Sequence, residues 1–417
     1  MKLIFNVVLF FLASSCLANS FKNESFDKAI KTMRLKSSNL EFDLPIVNLG
    51  TQDILNFSFD LLENDVKDYS YTFQKCDANW NKSEDIFYHD FIEGMEDNFI
   101  TDFQLSENTA VNYIHYELKF PNNDCKFLLS GNYILLVKEV ETKSIVITYK
   151  FYVVDSKVKI EQTPTTPIEF DYRYTHHIIN FNVNHSLMPS DNPINEFRAV
   201  ILQNGRQDNA KYDVKPLFVK NNKLIFSNEK QNLFEAGNEY RIIDFRDLKL
   251  QGVGVESIFY QDSIYHIIPT KDFKKAYLKY KQTSDHNGNF FIERMQDIGD
   301  PDLTTDYAFV HFRFHRSIPL DSSTVFIIGK MGNGEVERNL KMYYKDSLEH
   351  YEAHILLKQG VYDYAYAARK IGQSSLSWED TDGTHYQTEN SYTILLYFKG
   401  FNDLTETLIG VKRFIYQ

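Results

Sequence analysis

Three cysteines and two tryptophans in 417 residues leave this chain little material for thiol chemistry or for large aromatic platforms. One cysteine, Cys16, lies close to the N-terminus, so the body of the chain holds only Cys76 and Cys125. Two cysteines are no disulfide framework, and they are too few soft ligands for a structural zinc site. Export permits a Cys76–Cys125 bridge; the other reading is two independent thiols, one of them buried. A Gly-rich phosphate cradle, Cys-x-x-Cys, His-Glu-x-x-His and Gly-x-Ser-x-Gly are all missing, which removes the common signatures of nucleotide, redox, metalloprotease and acyl-transfer chemistry. No long run of one charge sign occurs either. The net charge of -12 is dispersed, which argues against nucleic acid and against anionic lipid as partners.

What the chain does contain begins with an export leader. Lys2 precedes an apolar stretch from Leu3 to Leu12, and small residues follow at Ala13, Ser14, Ser15, Cys16 and Ala18. This is a secretory signal over residues 1–18, too short to span a membrane as a helix. Two processing routes stay open. Cleavage before Cys16, behind an imperfect lipobox with Ala13 where Leu is favoured, gives a lipid-anchored protein; cleavage after Ala18 gives a soluble one.

Beyond the leader almost every segment reads as strand. Apolar and polar residues alternate between Asn, Asp and Gly breaks. The first third has Asp53–Leu61, Tyr69–Lys75, Asn112–Phe120, Asn132–Val140 and Ser144–Val154. No stretch of helical length keeps a 3.6-residue period, so helices are expected to be few and short. The fold class is all-β: tandem immunoglobulin-like or early-set β-sandwiches. The segment 157–167, with prolines at 164 and 167, is expected to be a linker. It separates a first block, the N-terminal β-sandwich at 20–156, from a second β domain at 168–272, and a C-terminal β-sandwich at 273–417 follows.

Several spacings invite chemistry and are better read as structure. His311 and His315 share one face of a strand but stand about 13 Å apart, too far to bind one metal. His176 and His177 are adjacent and point to opposite faces. The carboxylates Glu379, Asp380, Asp382 and Glu389 surround Gly383 without the register of a calcium loop, so a solvated loop is expected there. No catalytic, cofactor or metal residue is assigned. A carboxylate pair for glycoside hydrolysis is a spatial property that a sequence does not display.

Contact surface remains. Trp80, Phe87, Tyr88, Phe91, Phe99 and Asn108 place aromatic and amide side chains beside the acidic Glu93, Glu96 and Asp97, the usual make-up of an interface. The other reading packs these rings into their own core. The strand-end loops Phe87–Phe99 and Ser106–Thr109 are the expected contact region.

Seven segments carry a family likeness in order. They are CDANW (Cys76–Trp80), Asp97–Asn122, SGNY (Ser130–Tyr133), Asn192–Ala210, Phe234–Phe245, Leu356–Ala367 and Gly383–Phe398. Together they resemble the type IX secretion system plug proteins of Bacteroidota, nearly throughout the mature chain. Three positions depart: Lys75 where His is expected, Gln207 where Trp is expected, and Tyr240 where Phe is usual. The resemblance implies a non-enzymatic periplasmic plug without cofactor, associated with the outer membrane. It would bind the periplasmic mouth of a giant translocon barrel of the SprA/Sov type and seal it while no substrate is engaged. The alternative is a carbohydrate-binding or surface-glycan accessory protein, since Thr324–Met331 and its neighbours resemble early-set sandwiches joined to such proteins. That reading needs exposed aromatic platforms, with only Trp80 and Trp378 to supply them. A glycoside hydrolase is the third class.

Overall fold

A computed structural model describes residues 21–37, 44–296, 299–332 and 340–416. The leader, with Cys16 and both cleavage points, lies outside these residues. The architecture is all-β, and the α-helices among the described residues are single four-residue turns.

In the first part the main strands are β1 (Ile30–Ser37), β2 (Leu55–Leu61), β3 (Tyr69–Cys76), β4 (Asn98–Ile100), β5 (Asp102–Leu105), β6 (Ile114–Phe120), β7 (Gly131–Glu139) and β8 (Ile145–Val154). One sheet runs β8–β7–β3–β4, the other β1–β2–β6–β5. Their inner faces close over a core that includes Phe57, Phe59, Tyr71, Phe73, Tyr116, Phe120 and Phe151. Rings meet edge-on, as in Phe59–Tyr69 at 5.4 Å, or stacked, as in Phe59–Tyr116 at 4.9 Å. Such pairs add to simple area burial.

Alternation along β7 and β8 explains how the first part joins the rest. Tyr133, Leu135 and Val137 face the first core, while Ile134 faces a second one; Phe151 and Val153 face the first, Tyr152 and Val154 the second. A strand covered on both faces reads as a continuous apolar run rather than a clean alternation. The second core is completed from far along the chain.

The remaining strands used below are β9 (Lys159–Thr163), β10 (Phe197–Gln203), β11 (Arg241–Asp244), β12 (Ile264–Pro269), β13 (Tyr307–His315), β14 (His350–Lys358), β15 (Gly360–Lys370), β16 (Asn390–Phe398) and β17 (Thr407–Tyr416). Val200 and Leu202 of β10, Leu395 and Tyr397 of β16 and Leu408 of β17 enter the second core. Their alternate neighbours Ala199, Ile201, Ile394, Leu396 and Ile409 enter a third. The β10–β16–β17 sheet is therefore packed on both sides, with the first sandwich against one face.

Two expectations change. The segment 157–167 contains β9, which pairs antiparallel with Asn180–Asn184; the strand stops at Thr163 because Pro164 has no N–H to continue a ladder. Pairing also crosses residue 272: β11 pairs with β15, β12 runs parallel to β13, and β10 pairs with β16. Cys76 and Cys125 are both free and both buried.

Candidate partner-binding face and the joints behind it

The six residues expected at a contact surface separate into three groups. Phe87 and Phe99 are 83% and 65% exposed. Tyr88 is half-buried, its hydroxyl donating to the Met95 carbonyl at 3.0 Å. Phe91 is buried in the first core, where its ring meets Tyr88 at 5.3 Å.

Trp80 is a correction. It is buried, sits in the second core with its ring 5.2 Å from Tyr152, and lies under the Lys150 ammonium at 4.9 Å. It has no face left for a partner, because the CDANW turn is an internal joint. Asp77 caps that turn by accepting from the Asn79 and Asn81 amides, each at 2.9 Å. The Ala78 amide donates to Glu406 at 2.9 Å, and Arg198 grips the same carboxylate with two nitrogens. Lys75, the departure from the family pattern, is fully buried and donates to the Glu406 carbonyl at 2.8 Å. Burial pushes its pKa down to about 8. Gly131 makes room for it: a Cβ there would stand 2.4 Å from the Lys75 ammonium. Gln207 bridges Tyr152 and Tyr212, at 3.4 and 2.7 Å. Tyr240 packs edge-on against Trp378 at 5.5 Å.

Asn108 is exposed with a left-handed backbone, φ +55°, but its loop is turned inward. The Glu107 amide donates to the Leu303 carbonyl at 2.8 Å, and the Ala110 and Val111 amides donate to Asp306 at 2.9 and 3.1 Å. Of the two expected contact loops, Ser106–Thr109 is thus held by the Pro301–Asp306 segment.

Beside this loop lies a second joint that the sequence did not disclose. Asp60 of β2 accepts from Lys358 of β14 and from Tyr307 of β13, both at 2.6 Å, and pairs with His115 Nδ1 at 2.6 Å. Lys358 also donates to the Asp302 carbonyl at 2.7 Å and lies 4.1 Å over the Tyr113 ring. Arg34 of β1 pairs with Asp302. Burial alone would raise the Asp60 pKa; Lys358 and His115 outweigh it and hold the carboxyl below its usual range.

What is left for a partner is an edge. β4 and β5 close the same side of the two sheets, one at the end of each, and Thr101 alone separates them. Every residue of β5 is exposed, and Phe103 and Leu105 join Phe87, Met95 and Phe99 as exposed apolar side chains on this stretch. An unpaired edge with apolar side chains is a template for contact with another chain.

Elsewhere the suspected chemistry resolves into structure. His311 does not touch His315; its Nδ1 lies 2.7 Å from His354 Nδ1 and its Nε2 2.9 Å from His266 Nδ1. Burial, then these imidazoles, push its pKa down to about 4. His177 is enclosed, with Tyr392 and the Tyr386 carbonyl at 3.0 and 2.7 Å. The loop around Gly383 is solvated only in part: Glu379 is exposed, but Trp378, Thr381 and Asp382 are buried, and Asp382 pairs with Arg241. With Trp80 and Trp378 both inside, a glycan platform built on tryptophan is gone.

A carboxylate cluster does exist, at Glu239, Asp285 and Asp363. Glu239 and Asp363 are 3% and 1% exposed, so they line no cleft wall. Burial, reinforced by Asp285, pushes Glu239 up to about 7 and Asp363 up to about 6. Raised carboxyl pKa values stabilise the fold fully below the ordinary carboxylate range, and that contribution is lost as pH rises through 6 to 7. The melting temperature is therefore expected to fall between pH 5 and pH 8, and Glu239→Gln to flatten that slope; a calorimetric pH series checks it.

Comparison with known proteins bears on this geometry. The family profile described as "Type 9 secretion system plug protein 1st domain" matches residues 30–155, the first sandwich with its β4–β5 edge. A crystal structure of a hypothetical protein from Parabacteroides merdae ATCC 43184 is similar over 95% of this chain and 99% of its own, with 30% identity and a TM-score of 0.91. The chain belongs to the type IX secretion system plug protein family. The fold shared with the Parabacteroides merdae protein extends over both joints as well as the first domain. The family is a non-catalytic component of a secretion system and implies a location in the periplasm of the Bacteroidota envelope. A C-terminal domain of the Streptococcus agalactiae AgI/II polypeptide BspA, at 6% identity and a TM-score of 0.16, carries no argument about this chain. No curated protein matches. Among the described residues no helix is long and apolar enough to cross a membrane.

Proposed function

We propose that the protein is a non-enzymatic periplasmic plug that docks on the periplasmic opening of the giant type IX translocon barrel and closes it while no substrate is engaged. The observation that carries this reading is the exposed β4–β5 edge, with Phe99, Phe103 and Leu105, on the domain that matches the plug family. A wide aqueous barrel leaks unless a stiff body covers its mouth. Two joints stiffen this one: the Trp80 core and the Asp60–Lys358 cluster, both linking the first sandwich to later strands. Extended segments of the barrel mouth would add to the edge through main-chain hydrogen bonds, with apolar side chains setting the fit. Release would follow from competition by substrate or partner, through unequal affinity for the open and closed translocon.

Deleting the gene is the direct test in the cell. Secretion is expected to persist in part while the outer membrane becomes permeable to large antibiotics. Unchanged permeability would contradict the sealing role.

A further inference from the structure

We propose that His115, Glu117 and Asp302 form a divalent-metal site of the zinc class, bridging the first sandwich and the Pro301–Thr304 turn. His115 is 3% exposed. Its Nδ1 faces Asp60 at 2.6 Å, which fixes Nδ1–H as the donor and leaves Nε2 as a lone pair. That Nε2 is buried and has no hydrogen-bond partner. A buried polar atom without a partner is costly. A carboxylate behind the far nitrogen of an imidazole is the arrangement that orients metal-binding histidines and raises their basicity.

The open side of Nε2 faces ligands. Glu117 Oε1 lies 3.8 Å away. One donor atom from each of His115, Glu117 and Asp302 falls within 4.8 Å of the other two. Zinc bonds to nitrogen and oxygen are about 2.0–2.2 Å long, so the donors must draw together modestly. The two carboxylates can do so, because both side chains are 25% exposed. Arg34 occupies one oxygen of Asp302 and leaves the other. Asn56 Nδ2 reaches Glu117 Oε1 at 3.4 Å, and the exposed Lys119 stands 3.7 Å from Glu117 Oε2. The buried cations Arg34 and Lys358 pair with Asp302 and Asp60, while Glu117 faces the exposed Lys119, which can turn to solvent. One nitrogen and two carboxylates with access to water suit a first-row divalent ion rather than a soft one. The ligands come from β6 and from a turn nearly two hundred residues later, so an ion there would tie the second joint together.

The test uses tag-free full-length protein and Zn2+ alone. After chelator treatment, isothermal titration is expected to show one equivalent of zinc bound, and Co2+ to give the visible absorption of nitrogen–oxygen coordination. His115→Gln is expected to abolish binding. Since that variant sits in the joint and can fail to fold, Glu117→Gln, at the surface, is the second arm: it should weaken binding at least tenfold with an unchanged circular dichroism spectrum. Failure of the wild type to bind zinc, or equal binding by Glu117→Gln, overturns the proposal. Either result leaves the plug reading untouched.

Discussion

Lys358→Met is expected to lower stability by about 3–5 kcal/mol, because it leaves the Asp60 carboxylate buried without its cation. Lys358 and Asp60 are 0% and 1% exposed by side chain, so neither can turn to water. The lost partner also empties the position over Tyr113 and frees the Asp302 carbonyl. The effect belongs to a broken pair rather than to the pair's net worth. Asp60→Asn with Lys358→Met should therefore cost less than the two single changes together, by more than about 1 kcal/mol, the coupling that contacting residues show. Urea titrations of the four proteins measure it, and additive losses would refute the coupling. Asp60 contributes in the opposite pH direction from the buried cluster at Glu239. Its depressed pKa gives stability above the ordinary carboxylate range that is lost as pH falls through it.

Trp80→Ala is the second large effect, at about 3–5 kcal/mol for a fully enclosed aromatic. The indole fills the core between the first sandwich and the β10–β16–β17 sheet. Its backbone is left-handed at φ +66°, so the side chain is held in place by its packing against Tyr152 and under Lys150. Trp80→Phe retains ring contact and should cost roughly half as much, given that large-to-small losses scale with the cavity left behind. Limited proteolysis offers an independent readout. Cleavage after residue 154, between the two parts, should accelerate in Trp80→Ala and stay slow in Trp80→Phe. A surface role for Trp80 would predict no change in either.

Strand positions were legible in the sequence because a period of two and its Asn, Asp and Gly breaks are local. Leu55–Leu61, Tyr69–Cys76 and Ile114–Phe120 fall within or beside the expected segments. Sheet membership was not legible. The apolar runs YILLV and TILLYF announce strands covered on both faces, but nothing local says that β16 lies against β10. The same limit hid the second joint. Arg34, Asp60, His115, Asp302 and Lys358 each look like an ordinary charged residue in a strand or turn, and only the fold collects them. Trp80 looks like either an interface residue or a core residue, because aromatic and polar residues together describe both; the contact it makes is internal. The loop at Ser377–Asn390 differs from a fully solvated one for a related reason, since Asp382 and Trp378 are drawn inward by Arg241 and Arg206. Phe87 and Phe99, by contrast, lie outside any core.

An affinity pull-down from detergent-solubilised outer membranes of the host, read by mass spectrometry, tests the central claim most directly. Wild-type protein should recover a giant barrel in near-equal amount, and Phe99→Asp with Phe103→Asp should lose it while keeping the wild-type melting temperature. Recovery of no barrel, or of glycan-uptake components alone, would contradict the plug account.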